Sequence, residues 1–179
     1  VPDPRFAVLR LGRCLARRAL ADGERMLQAA GYVDCAYPTG VRDCEVQAVR
    51  AGCLSLSRSA DGVIERHRIR SIAYKGKASQ GEPAEWITIE PVAEAIRVLE
   101  RLSARAAAAR GSDTLWPVLV LKTGTKAHLS AEIVRQLNVY RDHLDARFGT
   151  AGHPSIAPNP TGAPWRITTR QFRRTIAWH

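Results

Sequence analysis

The sequence predicts an α+β domain that is mainly helical and carries one small three-stranded antiparallel sheet. Apolar residues recur at helical spacing near residues 5–37, 91–110 and 130–148, and again from residue 169 onward. Between residues 54 and 89 they instead alternate with polar residues in three short runs. The chain has 179 residues, which is enough for one domain with a core of its own.

The N-terminal region is expected to form two helices. The first covers residues 5–20, and Asp22 is expected to cap a second helix over residues 23–37. The inward positions of this second helix are predicted to be Met26, Leu27, Ala30 and Val33. We expect a single domain over residues 1–179, in which residues 1–22 are a linker and first helix and residues 23–179 are the core.

A proline-glycine turn at residues 38–40 is expected to end this helix, and a short new helix restarts around Val41. Arg42 would then lie in its first turn, where the helix dipole disfavours a cation. An arginine fits there if the turn binds a phosphate between its guanidinium and free backbone N–H groups. The alternative is that Arg42 pairs with Asp43, Glu45 or a carboxylate elsewhere in the chain.

The three alternating runs predict an antiparallel meander. They lie near residues 54–56, 63–74 and 85–89. The turn between the second and third strands carries Lys75 and Lys77, and nothing in its sequence restrains either side chain. The sequence thus predicts a hairpin with two lysines at its tip.

Three more helices are expected in the C-terminal half. Residues 91–110 and 130–148 form the first two, and Thr168 or Thr169 caps the last. The helix over 91–110 presents Val92, Ile96, Leu99 and Leu102 on one face. The helix over 130–148 presents Ile133, Leu137, Tyr140, Leu144 and Phe148. Because Tyr140 belongs to this stripe, we interpret it as a core residue and not as a nucleophile.

The net charge of +10 comes almost entirely from arginine. Lysine and arginine number 27 against 17 acidic residues, and the only lysines are Lys75, Lys77, Lys122 and Lys126. A planar guanidinium binds phosphate through two parallel hydrogen bonds, so this composition favours a nucleic-acid partner. A coding bias toward arginine is the alternative explanation.

The cysteines and the hydropathy pattern exclude several other classes of protein. Cys14, Cys35, Cys44 and Cys53 are nine or more residues apart and form no metal-binding motif. We interpret them as small buried side chains in a reducing compartment. No run of about 18 apolar residues is present, and the N-terminus lacks a signal pattern. These features predict a cytoplasmic protein with no membrane partner, no metal and no cofactor.

Two separated motifs resemble the arginine boxes of the tyrosine recombinases, also called the phage integrase family. Residues 39–45 read TGVRDCE and resemble the first box, T-G-x-R-x-x-E. Residues 170–175 read RQFRRT and resemble the second, commonly H-x-L-R-H-T, with its essential arginine at Arg173. The resemblance extends roughly from Ala29 to His179 and implies an integrase-like catalytic domain.

The resemblance assigns a role to each candidate catalytic residue. Arg42 and Arg173 would clamp the scissile phosphate, and Glu45 would support Arg42 from behind. Lys75 would be the general acid for the departing 5′ oxygen, with Lys77 as the competing candidate.

Around this set, Arg170 replaces the histidine that is usual in the second box, and arginine cannot act as a general base at neutral pH. Its expected role is phosphate contact or orientation. Thr169, Arg174 and Lys77 are further candidates for DNA contact.

The family's attacking tyrosine has no counterpart at the expected place. Tyr32, Tyr37, Tyr74 and Tyr140 all lie in other segments. We therefore expect a partial catalytic domain that ends at His179, before the position of the nucleophile. Such a domain would bind DNA without cleaving it.

In the resembling family, a tyrosine attacks DNA and forms a 3′-phosphotyrosyl bond during site-specific recombination. The implied partner is double-stranded DNA, with self-association of the full-length protein on that DNA. Two alternatives stay open at this stage. The chain could be a non-catalytic basic helical module that binds nucleic-acid phosphates, or a helical interaction domain whose arginines meet acidic proteins.

Overall fold

The computed structural model describes residues 4–60, 62–63, 65–117, 119, 130–150 and 153–176, with side chains from residue 17 to residue 173. Five helices and three strands occur in these ranges. They are α1 (Pro4–Thr39), α2 (Asp43–Gln47), β1 (Leu54–Arg58), β2 (Glu65–Ala73), β3 (Glu82–Thr88), α3 (Glu90–Ala108), α4 (Ser130–Phe148) and α5 (Thr169–Ile176). The mainly helical α+β fold with a three-stranded sheet is confirmed.

The two predicted N-terminal helices are one continuous helix. α1 runs from Pro4 to Thr39 and crosses the boundary expected at residue 22. The prediction that Asp22 caps a second helix is therefore wrong: its side chain is exposed and pairs with Arg25 at 2.8 Å. Gly23 costs the helix about 1 kcal/mol relative to alanine, too little to break it among strong helix formers.

The buried face of α1 also differs from the predicted one. Leu27 is 48% exposed, and Met26, Ala30 and Val33 are only half-buried. The buried positions are Gln28, Ala29, Gly31, Tyr32, Cys35 and Ala36. Close approach to α3 explains the choice, because a Cβ atom at Gly31 would lie 2.9 Å from Leu99. A larger side chain would not fit at this point, so the face that carries Gly31 packs against α3.

The sheet is the predicted antiparallel meander, with strand order β1-β2-β3. Leu54 pairs with Ile69, and Ile69 in turn pairs with Trp86. These three side chains face the core, where Ile69 is buried and the other two pack against the buried cluster. Residues 74–81 form the hairpin tip between β2 and β3, as expected.

The remaining helices follow the predicted stripes in part. In α3, Val92, Ile96 and Leu99 are buried, as predicted, and Leu102 packs against them. In α4 only the first half of the stripe is buried, and Phe148 at the end is 67% exposed.

Polar residues take the inward position along the second half of α4. Arg141 is buried there and donates to the Trp165 carbonyl oxygen at 2.6 Å and to Asn138 Oδ1 at 2.7 Å. This part of the helix anchors the loop before α5, which leaves Tyr140 and Leu144 half-buried.

No helix in the described ranges is long and apolar enough to span a bilayer.

Two glycines at the hairpin tip offer a matched test of this fold. Gly76 and Gly81 both have positive φ, at 74° and 70°. A Cβ atom at Gly76 would meet nothing within 4 Å, whereas one at Gly81 would lie 2.8 Å from the Ala73 carbonyl oxygen and against Ile72.

Gly76→Ala is expected to lower the free energy of unfolding by about 1 kcal/mol, from backbone conformation alone. Gly81→Ala should cost about 2–4 kcal/mol, because the clash adds to the same backbone term. Urea denaturation of both variants measures the difference. Equal losses would contradict the described hairpin.

Candidate functional site

The segment after α1 reverses direction and presents Arg42 at the surface. Thr39 Oγ1 donates to the Cys35 carbonyl oxygen and accepts the Val41 N–H, and Gly40 adopts a φ of 60°. Arg42 follows in an extended conformation, with φ −70° and ψ 151°, at the N-cap of α2. The prediction that Arg42 lies inside the first turn is wrong by one position, because the helix begins only at Asp43.

Glu45 holds Arg42 through two hydrogen bonds. Its Oε2 accepts the Arg42 backbone N–H at 3.0 Å, and its Oε1 accepts a hydrogen bond from Arg42 Nη1 at 3.0 Å. The Glu45 side chain is 4% exposed, whereas Arg42 is 30% exposed. A buried carboxylate requires such partners. The alternative prediction, in which Arg42 pairs with a nearby carboxylate, is therefore correct, and the exposed part of the guanidinium stays accessible.

Asp43 links three helices through its carboxylate. Oδ1 accepts hydrogen bonds from the Tyr32 hydroxyl at 2.5 Å and from Gln47 Nε2 at 2.8 Å. Oδ2 accepts from Ser130 Oγ at 2.7 Å. The first residue of α2, next to Arg42, is thus fixed to both α1 and α4.

The helix α5 is positioned by its entry segment and by one aromatic residue. Asn138 of α4 accepts the Ile167 N–H at 3.0 Å and donates to the Ile167 carbonyl oxygen at 2.8 Å. The Gln171 side chain then accepts the Thr168 N–H at 2.8 Å, so Thr168 takes the cap position. The Phe172 ring lies 6.2 Å from the Tyr32 ring, centroid to centroid. These contacts leave Arg170 and Arg173 on the exposed side of α5.

One cleft brings the two predicted arginine motifs together. Its volume is about 550 Å³, and its lining residues are Val41, Arg42, Asp43, Cys44, Thr169, Arg170 and Arg173. We call it the arginine cleft. Three guanidinium groups and one carboxylate line it, so it is electropositive and suited to an anion. Another cavity, of about 450 Å³ between α1 and α4, contains none of the predicted site residues.

The other predicted site residues lie outside the lining of the cleft. Lys75 and Lys77 are exposed at the hairpin tip, and Lys77 pairs with Glu82 at 2.6 Å. Lys75 makes no ion pair with any residue that the structure describes. The side chain of Arg174 lies outside the described residues.

Cys44 is exposed on the arginine cleft, where the sequence predicted a buried residue. Cys35 and Cys53 are buried, as predicted, and burial raises the pKa of Cys35 above its usual range and that of Cys53 to about 12. The side chain of Cys14 lies outside the described residues. Cys44 occupies a variable position of the first motif, so the motif carries no signal for its exposure.

Sequence reasoning also missed Tyr32 and Ser130, whose roles depend on contacts between distant segments. Tyr32 is buried, and desolvation together with its bond to Asp43 raises its pKa far above the usual range. A protonated, inaccessible hydroxyl cannot attack a phosphate. No described tyrosine lines the cleft.

The described residues contain no group of three or more His, Cys, Asp or Glu side chains placed to hold a metal ion. The chain matches no protein-family model and no curated protein sequence. The resemblance to tyrosine recombinases therefore stays a prediction based on the two motifs.

Cys44 gives a direct test of the charge in the arginine cleft. In a Cys14→Ser background, two reaction rates of Cys44 are measured, one with the dianionic reagent 5,5′-dithiobis(2-nitrobenzoate) and one with neutral iodoacetamide. We expect the ratio of the first rate to the second to be higher for Cys44 than for a free thiol in solution. The double variant R170A/R173A should lower this preference several-fold at low salt, because it removes two cleft charges.

The matched control is R101A/R105A, which removes two exposed arginines from α3, outside the cleft. It should leave the preference nearly unchanged. An equal loss in both double variants would mean that net charge, and not the cleft, attracts the anion.

Proposed function

We propose that the chain is the DNA-binding part of the catalytic domain of a site-specific tyrosine recombinase, and that the arginine cleft holds the scissile phosphate. The observation that carries the proposal is that Arg42 and Arg173, which are far apart in sequence, line the same cleft. They are also the two residues that correspond to the essential arginines of the family motifs. Both members of the motif pair are thus among the three arginines that line the cleft.

The chemistry of DNA strand exchange needs such a pair. In-line attack on a phosphodiester builds negative charge on the two non-bridging oxygens. Two fixed guanidinium groups stabilise this charge more strongly in the transition state than in the ground state. By analogy with oxyanion holes, each hydrogen-bond donor contributes about 3 kcal/mol to the rate.

The neighbours of the pair support a fixed phosphate site. Glu45 orders Arg42 before any ligand arrives, which lowers the reorganisation needed on binding. Arg170 and Thr169 line the same cleft and can donate to phosphate oxygens. Arg170 serves as a contact and not as a base, because its guanidinium stays protonated.

Lys75 is the proposed general acid for the departing 5′ oxygen. Its competitor Lys77 is engaged by Glu82, whereas Lys75 has no such partner among the described residues. Because Lys75 lies outside the lining of the cleft, this role requires the hairpin to move toward the bound DNA.

Double-stranded DNA is the proposed partner, and the full-length protein is proposed to self-associate on it. The attacking tyrosine would come from outside the described residues or from a second copy of the protein. Free thiols at Cys35 and Cys53 fit the cytoplasmic location that this function requires.

The second candidate function is a non-catalytic module that binds nucleic-acid phosphates through the same cleft. This function needs only the three guanidinium groups of the cleft, and no nucleophile. Both functions predict DNA binding, so covalent chemistry is what separates them.

The deciding experiment traps a covalent protein–DNA adduct. The product of the full reading frame is incubated with nicked duplexes of randomised sequence, which removes the need to know the target site. A recombinase gives a band that survives denaturing electrophoresis. Arg173→Ala should abolish that band and Arg101→Ala should retain it, since only Arg173 lines the cleft.

A protein that shifts DNA only non-covalently would support the phosphate-binding module instead. A product that does not bind DNA at low salt would contradict both candidates, since phosphate contacts are strongest there.

A further inference from the structure

Tyr32 contacts both walls of the arginine cleft without lining it. Its hydroxyl donates to Asp43, which directly follows Arg42 in the chain. Its ring lies 6.2 Å from the ring of Phe172, which directly precedes Arg173. The two arginines thus each have a sequence neighbour in contact with the same side chain.

The position of Tyr32 is itself fixed. Tyr32 is 2% exposed, and its ring packs edge-on against the ring of Trp116, with the two centroids 5.4 Å apart. Trp116 in turn donates from Nε1 to the Val46 carbonyl oxygen in α2 at 2.7 Å. A close-packed side chain of this kind couples the positions of the residues around it, because it cannot shift without disturbing them.

Asp43 introduces a negative charge into a cleft that otherwise carries positive charge. By simple electrostatics it weakens anion binding, so its presence needs another reason. Its two oxygens accept hydrogen bonds from Tyr32, Gln47 and Ser130, which directs the carboxylate toward α1 and α4. The contacts that hold Asp43 therefore also hold the backbone next to Arg42.

We propose that Tyr32 is a positioning residue that sets the separation between Arg42 and Arg173, through Asp43 on one side and Phe172 on the other. This inference rests on the proposed function, because it assumes that both arginines bind one phosphate. Tyr32 does not touch the phosphate in this account. It fixes the distance that two guanidinium groups must keep to bind one phosphate group together.

The test measures the affinity of the cleft for inorganic phosphate. In a Cys14→Ser background, phosphate is titrated at constant ionic strength, and protection of Cys44 from iodoacetamide reports binding, since Cys44 lines the cleft. Arg173→Ala is the positive control for loss of the site. Ile96→Val, a buried change in α3 outside the cleft, is the control for a modest loss of stability.

Tyr32→Phe keeps the ring and removes only the hydroxyl, so it should weaken phosphate binding several-fold, whereas Ile96→Val should not. Asp43→Ala should also weaken binding, even though it removes a negative charge. The double variant Y32F/D43A should bind no more weakly than D43A alone, because Tyr32 acts through Asp43 on this side. Phe172→Leu, which alters the other contact, should weaken binding independently of Asp43.

Two results would overturn the inference while leaving the proposed function intact. One is a Tyr32→Phe variant that binds phosphate like the wild type. The other is tighter binding in Asp43→Ala, which would mean that charge and not position dominates. If phosphate fails to protect Cys44 in the wild type, the proposed function itself fails and the inference fails with it.

Discussion

The buried carboxylate of Glu45 is the constraint on which the site depends. A carboxylate removed from water must have hydrogen-bonding partners, and Glu45 obtains two of them from Arg42, through its backbone N–H and its guanidinium. The helix that carries Glu45 has only five residues and would not persist alone. It is held by Ser71, which donates to the Glu45 carbonyl oxygen at 2.6 Å, and by Trp116, which donates to the next carbonyl. The orientation of Arg42 is therefore a property of the whole core.

The second wall of the cleft, formed by α5, has an arginine at a position where the helix dipole disfavours a cation. The helix α5 has no acidic residue in its first turn, and its second residue is Arg170. The dipole at a helix N-terminus favours anions, so a cation there lowers stability unless a ligand compensates for it. Arg42 stands at the N-cap of α2 with the same disadvantage, although Glu45 offsets part of it. A phosphate bound as proposed would compensate for both arginines, which face one cleft.

The sequence predicts those elements whose patterns are local. The meander, the lysine hairpin and the inward face of α3 follow from alternation, turn residues and helical spacing, and the structure contains all three. The continuity of α1 was missed because Asp22 and Gly23 read as a boundary, although neighbouring residues propagate the helix across them. The inward face of α1 was missed for a different reason. Contact with Leu99 requires a residue without a side chain at Gly31, and hydrophobicity alone does not indicate a glycine as an inward position.

The candidate site also contains residues that local sequence patterns predict and residues that only tertiary contacts reveal. Arg42, Arg170 and Arg173 occupy motif positions, and Thr169 directly precedes the second motif; all four line the arginine cleft. Asp43 and Cys44 occupy variable positions of the motif, so their place in the cleft could not be predicted. Tyr32 carries no sequence signal, because its importance comes from touching Asp43 and Phe172, which are distant from each other in the chain.

The most direct test of the central claim asks whether Arg42 and Arg173 bind the same phosphate. Arg42→Lys and Arg173→Lys keep the charge but remove the guanidinium fork, so a double-mutant cycle on phosphate affinity isolates geometry from net charge. If both arginines hold one phosphate, each single variant should lose most of the affinity, and the double variant should lose little more. Losses that multiply in the double variant would mean that the two arginines act independently, and that the cleft is not a single phosphate site.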